Sequence, residues 1–338
     1  MRRLQTGGVA LFFVGTSVFS VAMAQSDEVS LRFAPEEGSS FTTRIWAKTV
    51  EVTSEIEGAP TPAQVSDERR MYFGNEISNI ASDGTVTLIP STRHLQIFID
   101  RPDWTGADYD SLAPKRNAAN VTRILDYFVS KRSAFQELIQ PDGTIVDTVG
   151  FDEYLIHMSH HLNEEGIGQD FLATIRDDIT SPNVAHAIEG PFFFLTANPV
   201  KKGDTWVSNL SQSIPYGGMA LVTWKNTFEG VEEIDGRTLA VIRSTASATM
   251  QAALAKGNRI SVELGDVTGT AVTHVDLTLQ RPVFSDSTLT LPLNISTQNP
   301  VGGQDTFKKT YILTNSYKNV HENEIPVRYS PPRQKPKR

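Results

Sequence analysis

The sequence predicts a mainly β protein of the α+β type, built from antiparallel curved sheets or half-barrels with a short helical segment between two β-rich halves. Two observations support this fold class. Segments rich in Thr, Val and aromatic residues alternate with Gly, Asp and Pro turn signals through most of the chain, as in hairpin-connected strands. Helical spacing is concentrated near the middle, so strands and helices do not alternate as they do around a parallel sheet.

Residues 1–24 are predicted to be a signal peptide. Arg2 and Arg3 give a positively charged start, Val9 to Val21 is apolar, and Ala22-Met23-Ala24 fits a small-x-small cleavage site. The apolar run is short for a membrane span of about 20 residues. We therefore expect export by the general secretory route to the periplasm or the extracellular space, with no transmembrane segment in the mature chain.

Charge and cysteine content exclude several classes of function. The chain has no cysteine, which excludes disulfides, thiolate metal sites and cysteine nucleophiles. The net charge of −8 divides into +2 in residues 1–24, +5 in residues 328–338 and therefore −15 between them. So acidic a body argues against a nucleic-acid partner.

The C-terminal tail, residues 326–338, is Pro-rich and basic. This composition predicts a disordered segment. Two readings of the tail stay open, a solvated end and an electrostatic tether that contacts an anionic envelope surface.

The N-terminal half, residues 25–150, shows the pattern of successive hairpins. Asp83-Gly84 and Pro141-Asp142-Gly143 are turn signals between strand-like runs. Pro90 is predicted to end a strand, because proline has no N–H group to donate. The predicted strands are 41–52, 70–80, 86–89, 94–99, 133–139 and 144–149, with a short helix over 121–129.

The helical connector, residues 151–190, begins with an amphipathic helix. Its apolar stripe consists of Phe151, Leu155, Met158 and Leu162, which predicts a helix from Phe151 to Glu165. Further helical patterns follow at residues 171–179 and 181–189.

The polar side of this first helix carries His157 and His161, one turn apart, in line with Glu153. Histidines at this spacing can chelate a transition metal. They lie opposite the apolar stripe and lack the His-Glu-x-x-His order. A solvated polar face is therefore the alternative to a weak metal site.

The C-terminal half, residues 191–325, is predicted to be an antiparallel meander. It opens with the joint, residues 191–224, where the helical region gives way to strands. Its predicted strands are 220–228, 238–244, 259–264, 271–279, 287–295 and 306–317.

Five aromatic residues of the joint are candidate ligand-binding residues: Phe192, Phe193, Phe194, Trp206 and Trp224. Three consecutive phenylalanines in a strand cannot all point the same way, so some must face a second apolar surface. A packed core and a cavity for a hydrophobic ligand are the two readings.

Four features together resemble a family of exported bacterial proteins of unknown function. They are Pro141-Asp142-Gly143 followed by a strand and Gly150, the helical middle, Pro199-Val200-x-x-Gly203-Asp204-Thr205-Trp206, and the segment Glu229 to Ile242. The resemblance covers residues 29–320 and implies a β-rich envelope protein, with no catalytic residues to carry over. Many members have a lipidated cysteine, which this chain lacks.

The Gly-Asp-Thr-Trp motif has a structural interpretation. Gly203 can adopt positive φ in a turn, Asp204 can accept a hydrogen bond from the nearby backbone, and Trp206 can begin the next strand facing inward. We therefore assign Gly203 and Asp204 to a structural turn.

No catalytic motif stands out, so a non-catalytic protein without a cofactor is expected. The chain contains no Gly-x-Ser-x-Gly elbow and no Gly-rich phosphate loop, and His94 and His274 are interpreted as surface residues of strands. The leading hypothesis is a binding or interaction module of the cell envelope, with another envelope protein or a small hydrophobic molecule as its partner. A periplasmic carrier of a lipid or other hydrophobic ligand is the alternative, and an undetected hydrolase is the third hypothesis.

Overall fold

The computed structural model describes residues 28–54, 63–100, 108–113, 126, 129, 135–164, 190–214, 219–252, 260–298 and 303–326. The predicted signal peptide, the helical patterns of residues 171–189 and the basic tail from residue 327 lie outside these ranges, as does most of the predicted helix over 121–129. The domain boundaries therefore stay predictions.

One antiparallel sheet of 13 strands accounts for most of the described structure. Its strands are β1 Ser40–Ser54, β2 Ala63–Ile80, β3 Val86–Asp100, β4 Tyr109–Asp110, β5 Gln136–Ile139, β6 Ile145–Val149, β7 Thr205–Ser213, β8 Met219–Ile234, β9 Arg237–Ala252, β10 Ile260–Leu264, β11 Thr268–Asp276, β12 Arg281–Gln298 and β13 Gln304–Val320. The helix α1, Phe151–Glu164, and two 3₁₀ turns, Phe192–Phe194 and Glu322–Glu324, complete the elements.

The strand order joins the two halves of the chain in one sheet. It runs β6-β5-β3-β2-β1-β13-β12-β11-β9-β8-β7, with β4 beside β3 and β10 beside β12. The two halves meet where β1 pairs with β13, from Thr42 opposite Val320 to Ser54 opposite Lys308. The end strands β6 and β7 do not pair with each other, so the sheet stays open. The predicted fold class, antiparallel β with a short helical segment between two β-rich halves, is confirmed.

The sheet is strongly curved. Ile45 of β1 and Trp224 of β8 line one cavity, although five strand spacings separate β1 from β8 in the sheet order. In a flat sheet those five spacings would amount to roughly 24 Å. The curvature therefore turns one face inward, and the core forms on that face.

Two non-strand segments pack into the core. Leu31 and Phe33 come from the segment before β1, and Phe192, Phe194 and Leu195 come from the joint. The first segment bonds to the joint through the paired backbone groups of Val29 and Val200, at 2.8 and 2.9 Å. These segments fill part of the space that the curved sheet encloses.

Pro90 lies within β3, so the prediction that it ends a strand is wrong, and residues 94–99 continue the same strand. On one side β3 pairs with β2 throughout. On its other side β5 pairs only with Val86–Leu88, and β4 only with Gln96 and Ile97. Proline is tolerated in a strand where one side has no ladder partner.

The helix α1 shows the predicted amphipathic pattern. Phe151, Leu155 and Met158 are buried, whereas His157 and His161 are exposed. Phe151 packs edge-on against Phe135, just before β5, with ring centroids 5.4 Å apart. The helix thus packs on the N-terminal half of the sheet. Among the described residues, no helix has the length and apolar character needed to cross a membrane.

Candidate functional site

The first candidate site is a cavity of about 370 Å³, called here the aromatic cavity. Pro191, Phe193, Phe194 and Trp224 line one side of it. The opposite wall is the inward face of four neighbouring strands, with side chains that include Ile45 of β1, Met71 of β2, Leu313 of β13 and Leu289 of β12. This wall is mixed: serine, threonine and asparagine side chains lie among the aliphatic ones, and the charged residues Asp67 and Arg69 of β2 line it as well.

The three phenylalanines of the joint form a 3₁₀ turn, not the strand from which their directions were predicted. The Leu195 N–H closes this turn by donating to the Phe192 carbonyl at 3.0 Å. Phe192 packs on Phe33 at 4.8 Å between ring centroids, whereas Phe194 packs edge-on against Trp224 at 5.4 Å. The turn therefore sends the Phe192 ring to one side and the Phe193 and Phe194 rings, whose centroids are 4.0 Å apart, to the other.

Only part of the predicted aromatic set lines the cavity. Phe193, Phe194 and Trp224 line it, while Phe192 and Trp206 lie outside its wall. The indole N–H of Trp206 donates to the Phe194 carbonyl at 3.1 Å. Phe192 stabilises the turn through its packing on Phe33, and Trp206 stabilises it through this hydrogen bond.

The Gly-Asp-Thr-Trp motif forms the turn that leads into β7. Gly203 has φ of +93°, and the Asp204 carboxylate accepts a hydrogen bond from the Lys201 N–H at 2.8 Å. The Asp204 carbonyl accepts the Phe228 N–H at 3.0 Å. The turn sets the start of β7, and with it the position of Trp206 beneath the joint.

The Pro-Asp-Gly turn between β5 and β6 lies directly against the joint. Gly143 has φ of +85°, and an added Cβ would lie 1.8 Å from the Phe192 carbonyl oxygen. The Pro141 carbonyl accepts the Phe33 N–H at 2.7 Å. Sequence analysis recognised both glycine motifs as turns, and the structure places both beside the same aromatic segment.

Tyr317 of β13 separates the aromatic cavity from a neighbouring one. It lines the aromatic cavity, and its hydroxyl donates to Asn319 Oδ1 at 3.2 Å. Burial raises the pKa of Tyr317 above its usual range, so the hydroxyl keeps its proton and acts as a donor.

The neighbouring cavity, called here the arginine cavity, has a volume of about 760 Å³. Arg93, Arg237 and Arg281 line it together with Phe41 and Asn319. The cavity was not predicted from the sequence, because its arginines are far apart in the chain, on β3 and at the starts of β9 and β12, and only the folded sheet brings them together.

The prediction that His94 is a surface residue is wrong. Its side chain is fully buried, its ring stacks on Tyr72, and its Nε2 lies 3.0 Å from Asp110 Oδ1. Burial acts to raise the pKa of Asp110, but hydrogen bonds from Gln96 and His94 outweigh it and hold that pKa below its usual value. His94 lines neither of the two cavities.

His274 is also less exposed than predicted. It is partly buried, packs edge-on against Phe284 at 5.5 Å between ring centroids, and has a pKa lowered by burial. Within the described ranges, no group of three or more His, Asp or Glu side chains is arranged to hold a metal ion. The metal site at His157 and His161 stays an untested prediction.

Comparison with known proteins gives one sequence match and several distant structural ones. The model of a family of unknown function, DUF6263, matches residues 94–281, which is more than half of the chain. No curated protein is similar enough in sequence to count as a relative.

Among solved structures, one of lipovitellin and its lipid–protein interactions aligns with a TM-score of 0.42 and 10% identity, over 85% of this chain and 25% of that one. This chain therefore spans about a quarter of that lipovitellin chain. DynF, from the dynemicin biosynthesis pathway of Micromonospora chersina, aligns with a TM-score of 0.19 and 8% identity, over 96% and 95% of the two chains. Scores this low support no conclusion about function.

Proposed function

This chain belongs to DUF6263, a protein family of unknown function, and we propose that it is an exported binding protein whose aromatic cavity holds a small hydrophobic ligand. The observation that carries this proposal is the cavity beside Phe193 and Phe194. A carrier is expected to have an apolar space there, whereas a plain interaction module would have a filled interior.

The size and lining of the cavity support a ligand. Its volume of about 370 Å³ lies within the range of roughly 300–1,000 Å³ that is usual for small-molecule sites. Phe193 is only partly buried. A ligand would remove more of its ring from water, at about 25 cal/mol per Å² of apolar surface.

The rigidity of one wall also supports binding. Phe194 is fixed by the Trp206 indole and packed on Trp224, so a ligand would meet a surface that is already formed. A preformed wall lowers the ordering cost of association. The buried His94–Asp110 pair lines neither cavity, which favours binding over hydrolysis.

Export is the second part of the proposal. It is supported by the charged start, apolar run and Ala-x-Ala site of residues 1–24. The basic tail would then contact an anionic surface of the envelope.

The Phe193→Asp substitution tests the cavity. We expect native mass spectrometry of the purified wild-type protein to show a stoichiometric small-molecule adduct. We also expect the wild-type protein to bind the neutral fluorophore N-phenyl-1-naphthylamine. Phe193→Asp should lose the adduct and bind the fluorophore at least about tenfold more weakly, because a carboxylate desolvated against an apolar ligand is strongly unfavourable.

Val207→Asp is the matched control. Val207 is a largely exposed apolar residue of β7 that does not line the cavity, so this variant should keep both the adduct and the fluorophore affinity. A wild-type protein with neither adduct nor fluorophore binding would refute the proposal, and so would a Phe193→Asp variant that binds like the wild type.

A further inference from the structure

The arginine cavity contains a partly buried arginine, Arg281, whose Nε has no hydrogen-bond acceptor among the described residues. The Arg281 guanidinium lies over the Phe41 ring, 4.1 Å from its centroid. Its Nε is buried and has no hydrogen-bond partner in the described part of the chain. Burial lowers the pKa of Arg281, and the neighbouring Arg237 acts in the same direction, whereas Tyr317 and Asp276 act to raise it.

Leaving the buried Arg281 Nε without an acceptor costs free energy of folding unless another group supplies one. The Phe41 ring covers one face of the guanidinium, but the N–H groups lie in its plane and still need acceptors. A buried charge is normally paired. No Asp or Glu oxygen of the described residues lies within 4.0 Å of Arg281 in an ion pair.

A second unpaired donor lines the same cavity. Asn319 accepts a hydrogen bond from the Tyr317 hydroxyl at its Oδ1, at 3.2 Å. The Nδ2 group of Asn319 is buried and has no partner among the described atoms. Two buried donors of the residues that line the cavity, Arg281 Nε and Asn319 Nδ2, therefore lack acceptors.

The charges around the cavity agree with this. Arg93 and Arg237 line it as well as Arg281, against two exposed carboxylates, Glu76 and Glu322. Gly74 leaves room for the Arg93 side chain, since an added Cβ there would lie 2.6 Å from its Nε. Three guanidinium groups thus outnumber two carboxylates, and they supply many more donors than the cavity can satisfy itself.

We propose that the arginine cavity binds an oxyanion, the carboxylate or phosphate group of a ligand. These groups offer several acceptor oxygens, and they pair with guanidinium in a bidentate geometry. An oxyanion would supply the acceptors that Arg281 and Asn319 lack.

The position of the cavity suggests where the oxyanion comes from. Phe41 and Ile45 project from the same face of β1, the first into the arginine cavity and the second into the aromatic cavity. On β13, Tyr317 likewise lines the aromatic cavity, and Asn319 on the same face lines the arginine cavity. The oxyanion can therefore be free in solution or, if the proposed function holds, the head group of an amphiphile whose apolar part occupies the aromatic cavity.

Calorimetric titration of the purified full chain tests the oxyanion site. The probes are inorganic phosphate, dodecyl phosphate and the uncharged dodecanol. Arg281→Met and Arg237→Gln should each weaken phosphate-group binding at least about tenfold, and added salt should weaken it in the wild type. Arg237 is the exposed first residue of β9, so its variant tests the site even if Arg281→Met does not fold.

Arg243→Gln is the matched control, because Arg243 is an exposed arginine of β9 that does not line the cavity. It should bind all three probes like the wild type. The affinity for dodecanol should be the same in all arginine variants.

The outcomes separate the two sources and the two proposals. Binding of inorganic phosphate that needs the arginines but tolerates Phe193→Asp supports a free anion. Binding of dodecyl phosphate that needs both the arginines and Phe193 supports an amphiphile head group. Unchanged dodecyl phosphate binding in the arginine variants, or binding of neither phosphate by the wild type, would overturn the oxyanion site. Dodecanol binding that survives Phe193→Asp would overturn only the aromatic cavity.

Discussion

Gly143→Ala is expected to lower the free energy of unfolding by about 2–5 kcal/mol. The left-handed backbone at φ of +85° disfavours any residue with a Cβ by about 1–2 kcal/mol. In addition, the new Cβ would lie 1.8 Å from the Phe192 carbonyl oxygen. Backbone on one side or the other must move, and forced overpacking of this kind costs about 1–3 kcal/mol more.

Urea denaturation followed by circular dichroism measures this loss. Gly236→Ala is the matched control, because Gly236 has φ of +73° in the β8–β9 turn and no atom within 4 Å of an added Cβ. It should lose only the conformational part, about 1–2 kcal/mol. Equal losses in the two variants would show that the contact with Phe192 does not matter.

The position of Gly143 also explains why the Pro-Asp-Gly motif and the aromatic joint occur together. Because Gly143 has no side chain, the turn lies directly against Phe192 of the joint. The Pro141 carbonyl also accepts a hydrogen bond from the Phe33 N–H, in the segment before β1. Displacing Phe192 would disturb the 3₁₀ turn that directs Phe193 and Phe194 towards the cavity. The stability of the fold and the shape of the aromatic cavity are thus coupled at this contact.

Local sequence signals predicted the strands and turns well. Asp83-Gly84 and Pro141-Asp142-Gly143 form turns as predicted, because turn geometry depends on a few adjacent residues. Pro90 was misread because its tolerance depends on which strands lie beside β3. Which strands lie beside β3 is a property of the tertiary structure, and the residues around Pro90 do not indicate it.

For the candidate sites, too, local features could be predicted from the sequence, whereas features that depend on tertiary contacts could not. An aromatic run followed by two tryptophans was visible in the sequence, and Phe193, Phe194 and Trp224 do line a cavity. The 3₁₀ turn that sorts the rings was not visible, because a run of phenylalanines has no helical or strand period. The burial of His94 depends on Asp110 and Tyr72, which the pairing of β4 and β2 with β3 brings to it.

The arginine cavity was beyond any local pattern. Its three arginines lie on β3, at the start of β9 and at the start of β12. The cavity exists because β1 pairs with β13 and so brings the two halves of the chain together. Pairing between the N-terminal and C-terminal parts of the chain is therefore the feature on which the fold and both cavities depend.

Glu51→Gln tests that pairing. Glu51 of β1 and Lys309 of β13 form an ion pair across it, and their side chains are only 11% and 15% exposed. Glu51→Gln removes the carboxylate that pairs with the largely buried Lys309 ammonium. Breaking a buried ion pair costs about 3–5 kcal/mol, so for this slightly exposed pair we expect a loss of about 2–4 kcal/mol in urea denaturation.

Glu229→Gln is the matched control, because Glu229 and Arg243 form a cross-strand pair at 3.8 Å that is about half exposed. Its loss should be below about 1 kcal/mol. The double variant Glu51→Met/Lys309→Met should recover most of the loss, since it leaves no unpaired charge in the buried site.

Hydrogen exchange then shows whether the two halves unfold as one unit. Because β1 and β13 lie at the centre of a continuous sheet, Glu51→Gln should speed exchange of the most protected amides of both β2 and β8 by similar factors. Faster exchange on the β2 side alone would mean that the two halves open separately. The walls of both cavities include strands from both halves. In that case the cavities would therefore open before the whole protein unfolds.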